Sequence, residues 1–477
     1  MRRTGIALAM LLLAVVDGRP EGRSDHRTIE RHYTPADRAA ARYQYVPFDV
    51  PAGTGSLRIA YSYDDADGNN VIDLGLFEPG SLELGTRAFR GYSGGSKSEV
   101  VISAADTTPG YRAGALPAGT WHVMLGLYKV TDTGVDVTLT VETAPAPPPP
   151  APAASTSPRG IPGTPPLRSG QAGPQWYKGA LHTHTLHSDG AATPGDLVRR
   201  VRDAGFDFVF ITDHNNTTHR AELQAQLPAA DHPLWLVGEE VTTPGGHASV
   251  WGLDPGEWVD FRVRPEDRRM RELIDAAHRQ GALFSINHPV SDCAGCSWEH
   301  DVDGIDAIEI WNGSHTSPES GSLLWDRLLT AGTPVTGVGA SDWHRDPSRI
   351  DVANVRVYAP SLAPGAILDA IKAGRVIVAR DGAVHTPDVV VRSGSQSARI
   401  GDTLAVSGPV RIELTATDLA GGEAVVISRG ERAGHTRIGA DGRAAIEGQF
   451  AGYVRVELFD ADGAVAAATN PVFLSQR

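Results

Sequence analysis

The chain has 477 residues, and at roughly 150 residues per domain it has room for about three domains. Hydrophobic residues make up 41% and charged residues 21%, ordinary globular usage that excludes disorder throughout and a multi-span membrane protein. The formal charge is −14 and no run of Lys and Arg forms a basic stripe, which argues against polymeric nucleic acid as a partner.

Residues 1–18 read as a secretory signal peptide: Arg2 and Arg3 precede an apolar stretch of residues 6–16, too short to span a bilayer comfortably. The protein is therefore expected to be exported, periplasmic or extracellular, with no transmembrane span once the signal is removed. Residues 33–143 follow as short β-type runs (43–50, 56–62, 71–77, 120–128, 135–141) with Asp67-Gly68 and Asn69-Asn70 supplying turns, the pattern of an antiparallel sandwich. Residues 144–170 are a linker. Ten prolines fall between Pro145 and Pro166, a composition that lacks the apolar surface to fold.

From 175 to 382 the pattern alternates strand and helix. Strands are expected at 206–212, 234–237, 283–287, 307–311 and 334–339, with helices at 198–204, 265–280 and 322–330. Repeated β-then-α units imply a parallel sheet or barrel. Residues 386–477 return to β runs and read as a second small sandwich. The two cysteines, Cys293 and Cys296, cannot frame a chain this size, and in an oxidising compartment a local disulfide is the expected use of them.

Twelve of the 17 histidines lie between His182 and His344, and their places relative to the strands carry the chemistry. His182 and His184 alternate along a strand end, so they point the same way and suit one metal ion. Asp189 is on the following loop. His214, Glu240, His288, and the pair Asp342 and His344 each stand just past a strand. In a β/α barrel such ends line one rim, the usual place for an active site. Five imidazoles and three carboxylates on one rim are metal-ligand chemistry.

These motifs, HTHTLHSDG (182–190), ITDHN (211–215), GEE (238–240), NHP (287–289) and ASDWH (340–344), resemble the PHP (polymerase and histidinol phosphatase) superfamily of metal-dependent hydrolases. GGHASVWGL (245–253) and IEIWNG (308–313) look most like its CehA/McbA, or carbaryl-hydrolase-like, branch. The resemblance implies an α/β fold, a distorted (β/α)7 barrel flanked by the two sandwiches, holding two or three divalent ions (Zn, Mn or Fe). Carried over, His182, His184, Glu240 and Asp342 would hold one ion, and Asp189, His214 and His344 would surround another. Glu240 would bridge, with His288 completing a further site. Glu239 competes with Glu240, and the family spacing Gly-x-Glu favours Glu240. Asp213 is expected behind the ligands, orienting an imidazole. Amidohydrolases also open with HxH, but no lysine lies between Lys178 and Lys372 to supply their usual bridge.

The expected activity is attack of metal-activated water on a small, anionic phosphoester, with carbamate or amide cleavage on the same centre as the alternative. His247, Arg345 and Arg380 are the candidates for contacting the substrate or protonating its leaving group, and His247, which matches a histidine frequent in the CehA/McbA branch, is equally a candidate ligand. A catalytically silent binding module is the reading of another class.

Overall fold

The computed structural model describes residues 25–104, 106–146, 173–227, 233–291, 293, 295–313 and 318–476. Residues 1–18, expected as a signal peptide, nearly all of the expected linker, and His232 and His315 lie outside them. Among the described residues the chain is mostly β-structure, with few helices and several sheets. None of those helices is long and apolar enough to cross a membrane.

The N-terminal unit pairs two four-stranded antiparallel sheets. Alternating side chains drive this: in Thr54–Tyr63 Leu57, Ile59 and Tyr61 face in while their neighbours face out, and Val135–Pro145 repeats the pattern. Ile59, Leu139, Leu74 and Trp121 meet between the sheets. The unit starts earlier than the sequence pattern indicates, because Asp25–Tyr33 pairs residue for residue with Val135–Thr143 although most of its side chains are exposed.

The central strands belong to one fifteen-stranded sheet, not to a closed ring of parallel strands. Along it run Thr336–Ala340, Ala307–Asn312, Leu283–Ile286, Gly246–Trp251, Leu234–Thr243, Phe208–Ile211, Gln175–Ala180, Asn354–Ala359 and Val376–Ala379. The expected (β/α)7 barrel is therefore not displayed by the ladder. The physical reason is a hairpin. Leu234 onward does not stop at 237 but continues to Thr243, turns at Pro244-Gly245, and returns antiparallel as Gly246–Trp251. That returning strand then pairs antiparallel with Leu283–Ile286. Buried strands are apolar on both faces, so their direction is invisible in composition.

The run of central strands nevertheless curls until Thr336–Ala340 comes beside Val376–Ala379. A Cβ at Gly339 would fall 2.4 Å from Val378 Cγ1, so only glycine permits this approach. The Asn470 amide spans the seam: its Nδ2 donates to the carbonyls of Gly337 (2.7 Å) and Val376 (2.9 Å), and Gly337 N–H donates to its Oδ1 (2.8 Å). Val376–Ala379 pairs onward with Val465–Thr469, so the C-terminal strands extend the same sheet and pack on a small antiparallel sheet of their own. The expected helix over 265–280 is broken. A 3-10 turn, Pro265–Asp267, ends at Arg268 with φ 52°, and the α-helix proper is Met270–His278.

Candidate metal centre

Each proposed ligand follows a strand or sits in its last residues. Thr183, between the two histidines, bridges Trp343, while His214 bridges Glu240, so four separate segments are tied edge to edge at the site. His288 and Asp342 hold positive φ (24° and 52°), uncommon for such residues and tolerated where the surroundings over-determine them.

Glu240 is the centre of the cluster. Its Oε1 lies 3.2 Å from His182 Nε2 and 3.3 Å from both His247 Nδ1 and His288 Nε2; its Oε2 lies 2.8 Å from His214 Nδ1 and 3.5 Å from His184 Nε2. Asp342 Oδ1 stands 3.2 Å from His182 Nε2 and 3.0 Å from His184 Nε2. Asp189 Oδ1 faces His344 Nε2 (3.3 Å) and His214 Nε2 (3.6 Å).

Donor atoms thus converge in three groups, each within 4.8 Å: His184, Asp189, His214 and His344; His182, His184 and Asp342; Glu240, His247 and His288. This grouping differs from the sequence expectation. His184 belongs to two groups, and His247, which the sequence leaves open between ligand and substrate contact, stands in a donor group. The sequence could not place it because its strand is the unexpected arm of the hairpin.

The donor set fits divalent ions. His182 Nε2, Asp189 Oδ1 and Glu240 Oε2 are buried without a well-directed hydrogen bond, although other donor atoms stand close by. Buried polar atoms normally find partners, so atoms that crowd together without hydrogen-bond geometry are arranged for a cation.

The imidazoles are oriented from behind. His182 Nδ1 is 2.8 Å from Glu309 Oε1, His344 Nδ1 is 2.9 Å from the Asp342 carbonyl, and His214 Nδ1 is 2.6 Å from Thr242 Oγ1. For His182 and His344 the contact leaves Nε2 facing the cluster, whereas His214 meets it through both nitrogens, Nδ1 towards Glu240 and Nε2 towards Asp189. Burial, aided by His344 and His214, pushes His184 down to about 4, which keeps it neutral as a ligand must be. Burial also opposes charge on His214, but Glu240 and Asp189 outweigh it and raise it to about 9. The Glu240 carboxyl is held well below its usual range: burial works the other way but is overcome by His182, His214 and His247.

Glu239 and Glu240 point to opposite faces of their strand. Glu239 accepts from Val259 N–H (2.7 Å), away from the cluster. Asp213 does not orient a ligand imidazole. It accepts from Thr185 N–H, Thr185 Oγ1–H and Ser188 Oγ–H, each at 2.7 Å, and stands 2.9 Å from His219 Nδ1, so it anchors the loop that carries Asp189. Arg345 is on the rim, where its guanidinium donates to the Asp189 carbonyl. Arg380 is not brought to the cluster: it donates to Asp460 Oδ2 at 2.6 Å and is committed to the C-terminal strands. Cys293 and Cys296 are joined as a disulfide, on a loop whose Gly295 carbonyl accepts from Gly246 N–H.

A cavity of about 440 Å³ opens over this centre. Ser188, Asp189, His214, Thr242 and His247 form one wall, and residues of the N-terminal sandwich, among them Asp73, Tyr92 and Tyr128, form the other.

No family model matches the sequence, and no curated protein matches it. Among solved structures the chain is similar to a two-domain protein containing a predicted PHP-like metal-dependent phosphoesterase from Bacteroides vulgatus, at 17% identity, over 67% of this chain and 100% of that one, with a TM-score of 0.35. It is also similar to a candidate metal-dependent phosphoesterase from Bifidobacterium adolescentis (18% identity, 36% of this chain, 90% of that one, TM-score 0.28). A third is an amidohydrolase from Chromobacterium violaceum with bound sulfate and no metal (20% identity, 35% and 88%, TM-score 0.27). Likenesses this distant leave the chemistry to be read from the site itself.

Proposed function

We propose that this chain is an exported, PHP-type metal-dependent hydrolase of the CehA/McbA branch that cleaves a phosphoester. The observation that carries the reading is the convergence of His182, His184, Asp189, His214, Glu240, His247, His288, Asp342 and His344 into three adjoining donor groups beneath one cavity. Divalent ions held there would supply Lewis-acid activation of water and of the bond to be cleaved. The protein's own part is to aim the imidazoles, through Glu309, Thr242 and the Asp342 carbonyl, and to hold the Asp189 loop in place through Asp213. The signal-like residues 1–18 support export, which N-terminal sequencing of protein from a periplasmic or culture fraction tests.

A second reading, carbamate or amide hydrolysis on the same centre, is favoured by the cavity wall. Val71, Tyr92 and Tyr128 line it, with Asp73 between them and no Lys or Arg among its described lining residues. That wall suits a neutral substrate better than a phosphate dianion.

Elemental analysis of purified protein, with turnover of p-nitrophenyl phosphate, bis-p-nitrophenyl phosphate and 1-naphthyl methylcarbamate, tests both readings. Two or more ions per chain are expected, with turnover lost in His182→Ala and Asp342→Ala. Less than about one ion per chain and no turnover would leave only a binding module.

A further inference from the structure

The N-terminal sandwich is bound to the metal centre's own loop. Ser96 Oγ–H and Lys97 Nζ both donate to the Ser188 carbonyl, at 3.1 and 2.8 Å, next to Asp189. Gly110 N–H donates to His187 Nδ1 at 3.3 Å. Farther out, Gly85 N–H donates to Asp260 Oδ2 (2.8 Å), Arg262 donates to the Leu82 carbonyl (3.0 Å), and Phe89 stacks on Trp258 with centroids 4.0 Å apart. Phe77, Phe89, Tyr92 and Met124 of the sandwich share one apolar core with Val241, Val250 and Phe261 of the central sheet. The two units therefore meet as an interior, and the cavity wall supplied by the sandwich is fixed relative to the ligands.

On that wall Asp73 is the ionisable side chain with no role in the centre described above. It belongs to the strand Val71–Phe77 and pairs across the ladder with Gly126. Because Gly126 has no side chain, the Asp73 carboxyl lies over it; a Cβ there would sit 3.0 Å from Asp73 Oδ2. The carboxyl is half-buried on the cavity wall, with Tyr92 and Tyr128 lining the cavity beside it and Tyr43 near. From the described residues of the sandwich the cation that pulls on it is Arg42, whose guanidinium is engaged with the Tyr128 ring at 5.2 Å, and His214 acts on it from across the cavity.

We infer that Asp73, which lines the cavity beside Tyr92, is the acid that protonates the leaving group, so that the active site is shared between the sandwich and the metal centre. This rests on the metallohydrolase reading, and it holds for a phosphoester or an aryl carbamate, in both of which the leaving atom is oxygen. In the step, the oxygen of the attacking water bonds to phosphorus or carbonyl carbon as the bond to the leaving oxygen breaks. The Asp73 carboxyl gives its proton to that oxygen, and the proton released by the attacking water restores the acid. Placement on the wall opposite the ligands is what a proton donor needs, since nucleophile and leaving group occupy opposite sides of the reacting centre. Burial raises the Asp73 carboxyl to about 6, against the pull of Arg42, Tyr92 and His214, closer to neutrality than an exposed carboxyl.

The test compares leaving groups in the full-length, metal-loaded enzyme. Phenyl phosphate and phenyl N-methylcarbamate release a phenol whose pKa, about 10 as for tyrosine, requires protonation; their p-nitrophenyl counterparts release an anion that does not. In Asp73→Asn the ratio of kcat/KM for the phenyl over the p-nitrophenyl substrate is expected to fall on the order of 100-fold, with metal content per chain preserved. Tyr92→Phe, which keeps the ring in the core, is expected to move the same ratio in the same direction, and it carries the test if Asp73→Asn does not fold. An unchanged ratio in a folded, metal-loaded variant, whatever happens to the absolute rate, overturns the role of Asp73 and leaves the hydrolase reading standing. Absence of turnover in metal-loaded wild type on all four substrates overturns the hydrolase reading, and the acid with it.

Discussion

Glu309 Oε1 stands 2.8 Å from His182 Nδ1, and its other oxygen accepts from His288 N–H at 2.8 Å and from Asn312 Nδ2–H at 3.0 Å. One fully buried carboxylate thus fixes the ring of one ligand and the backbone of another. A carboxylate behind a ligand histidine sets its tautomer and raises its basicity, and losing such a partner typically costs 10–100-fold in metal affinity. Glu309→Gln, which keeps the shape and removes the charge, should weaken metal binding by roughly that factor. Competition titration with a chelator measures it. Affinity within twofold of wild type would mean that the carboxylate is only a structural hydrogen-bond acceptor.

The two adjacent glutamates make a sharper pair of variants. Burial raises the Glu239 carboxyl well above its usual range, so it is protonated and chemically close to an amide. Glu239→Gln should keep full metal content and a melting temperature near that of wild type. Glu240→Gln removes the one carboxylate that faces five imidazoles and should lose at least one ion per chain. Elemental analysis of both proteins decides, and the opposite result would exchange their roles.

What could be read from the sequence, and what could not, follows from range. His182, His184, His214, Glu240, His288, Asp342 and His344 were visible because each is a ligand-type residue beside a buried run, a local pattern. Glu309 was not, although its motif was, because its partner is 127 residues away and a glutamate in an apolar strand gives no hint of what it faces. The antiparallel arm holding His247 was missed because buried strands look alike in either direction. The cavity wall was missed for a different reason. Asp73 sits in a strand that alternates in the ordinary way, and only the docking of two units turns its outer face into the wall of a site.

His300 gives a prediction in which pH does the discriminating. It is 7% exposed and stands 2.8 Å from Thr243 Oγ1, and burial lowers it to about 4 despite Asp301 and Asp267 nearby. The folded state therefore binds fewer protons than the unfolded one between pH 4 and 6.5, so the contribution of neutral His300 is complete above about 6.5 and is lost as pH falls towards 4. Relative to His300→Gln, wild type should lose about 2 kcal/mol of stability between pH 7.5 and 5. Urea unfolding of both proteins across that range measures the difference, which cancels effects of metal release common to the two. A pH-independent gap would show that His300 titrates alike in both states.

The last relationship joins the C-terminal strands to the rest. Arg455, 1% exposed in its side chain, donates to Asp326 through Nε (2.8 Å) and Nη2 (2.6 Å), and its guanidinium lies 4.9 Å from the Trp325 ring centroid. Tyr453 donates to the same carboxylate at 2.9 Å. Asp326 is on the helix Pro318–Thr330, while Tyr453 and Arg455 are on the strand Gly452–Phe459, so this network and the Asn470 seam both cross from the central sheet to its C-terminal extension. Removing one partner of a buried pair costs about 3–5 kcal/mol when the other charge is stranded. Arg455 Nη1 also donates to Glu457 Oε1 at 2.7 Å, so Asp326→Ala should lower stability by about the lower end of that range. If the extension and the central sheet are one cooperative body, a single thermal transition should move down as a whole. The double variant Asp326→Leu/Arg455→Met, which removes both charges and fills the space with apolar atoms, should recover much of the loss. Calorimetry distinguishes the outcomes: two transitions, with only the lower one sensitive to Asp326→Ala, would make the C-terminal strands a separately folding unit that merely continues the ladder.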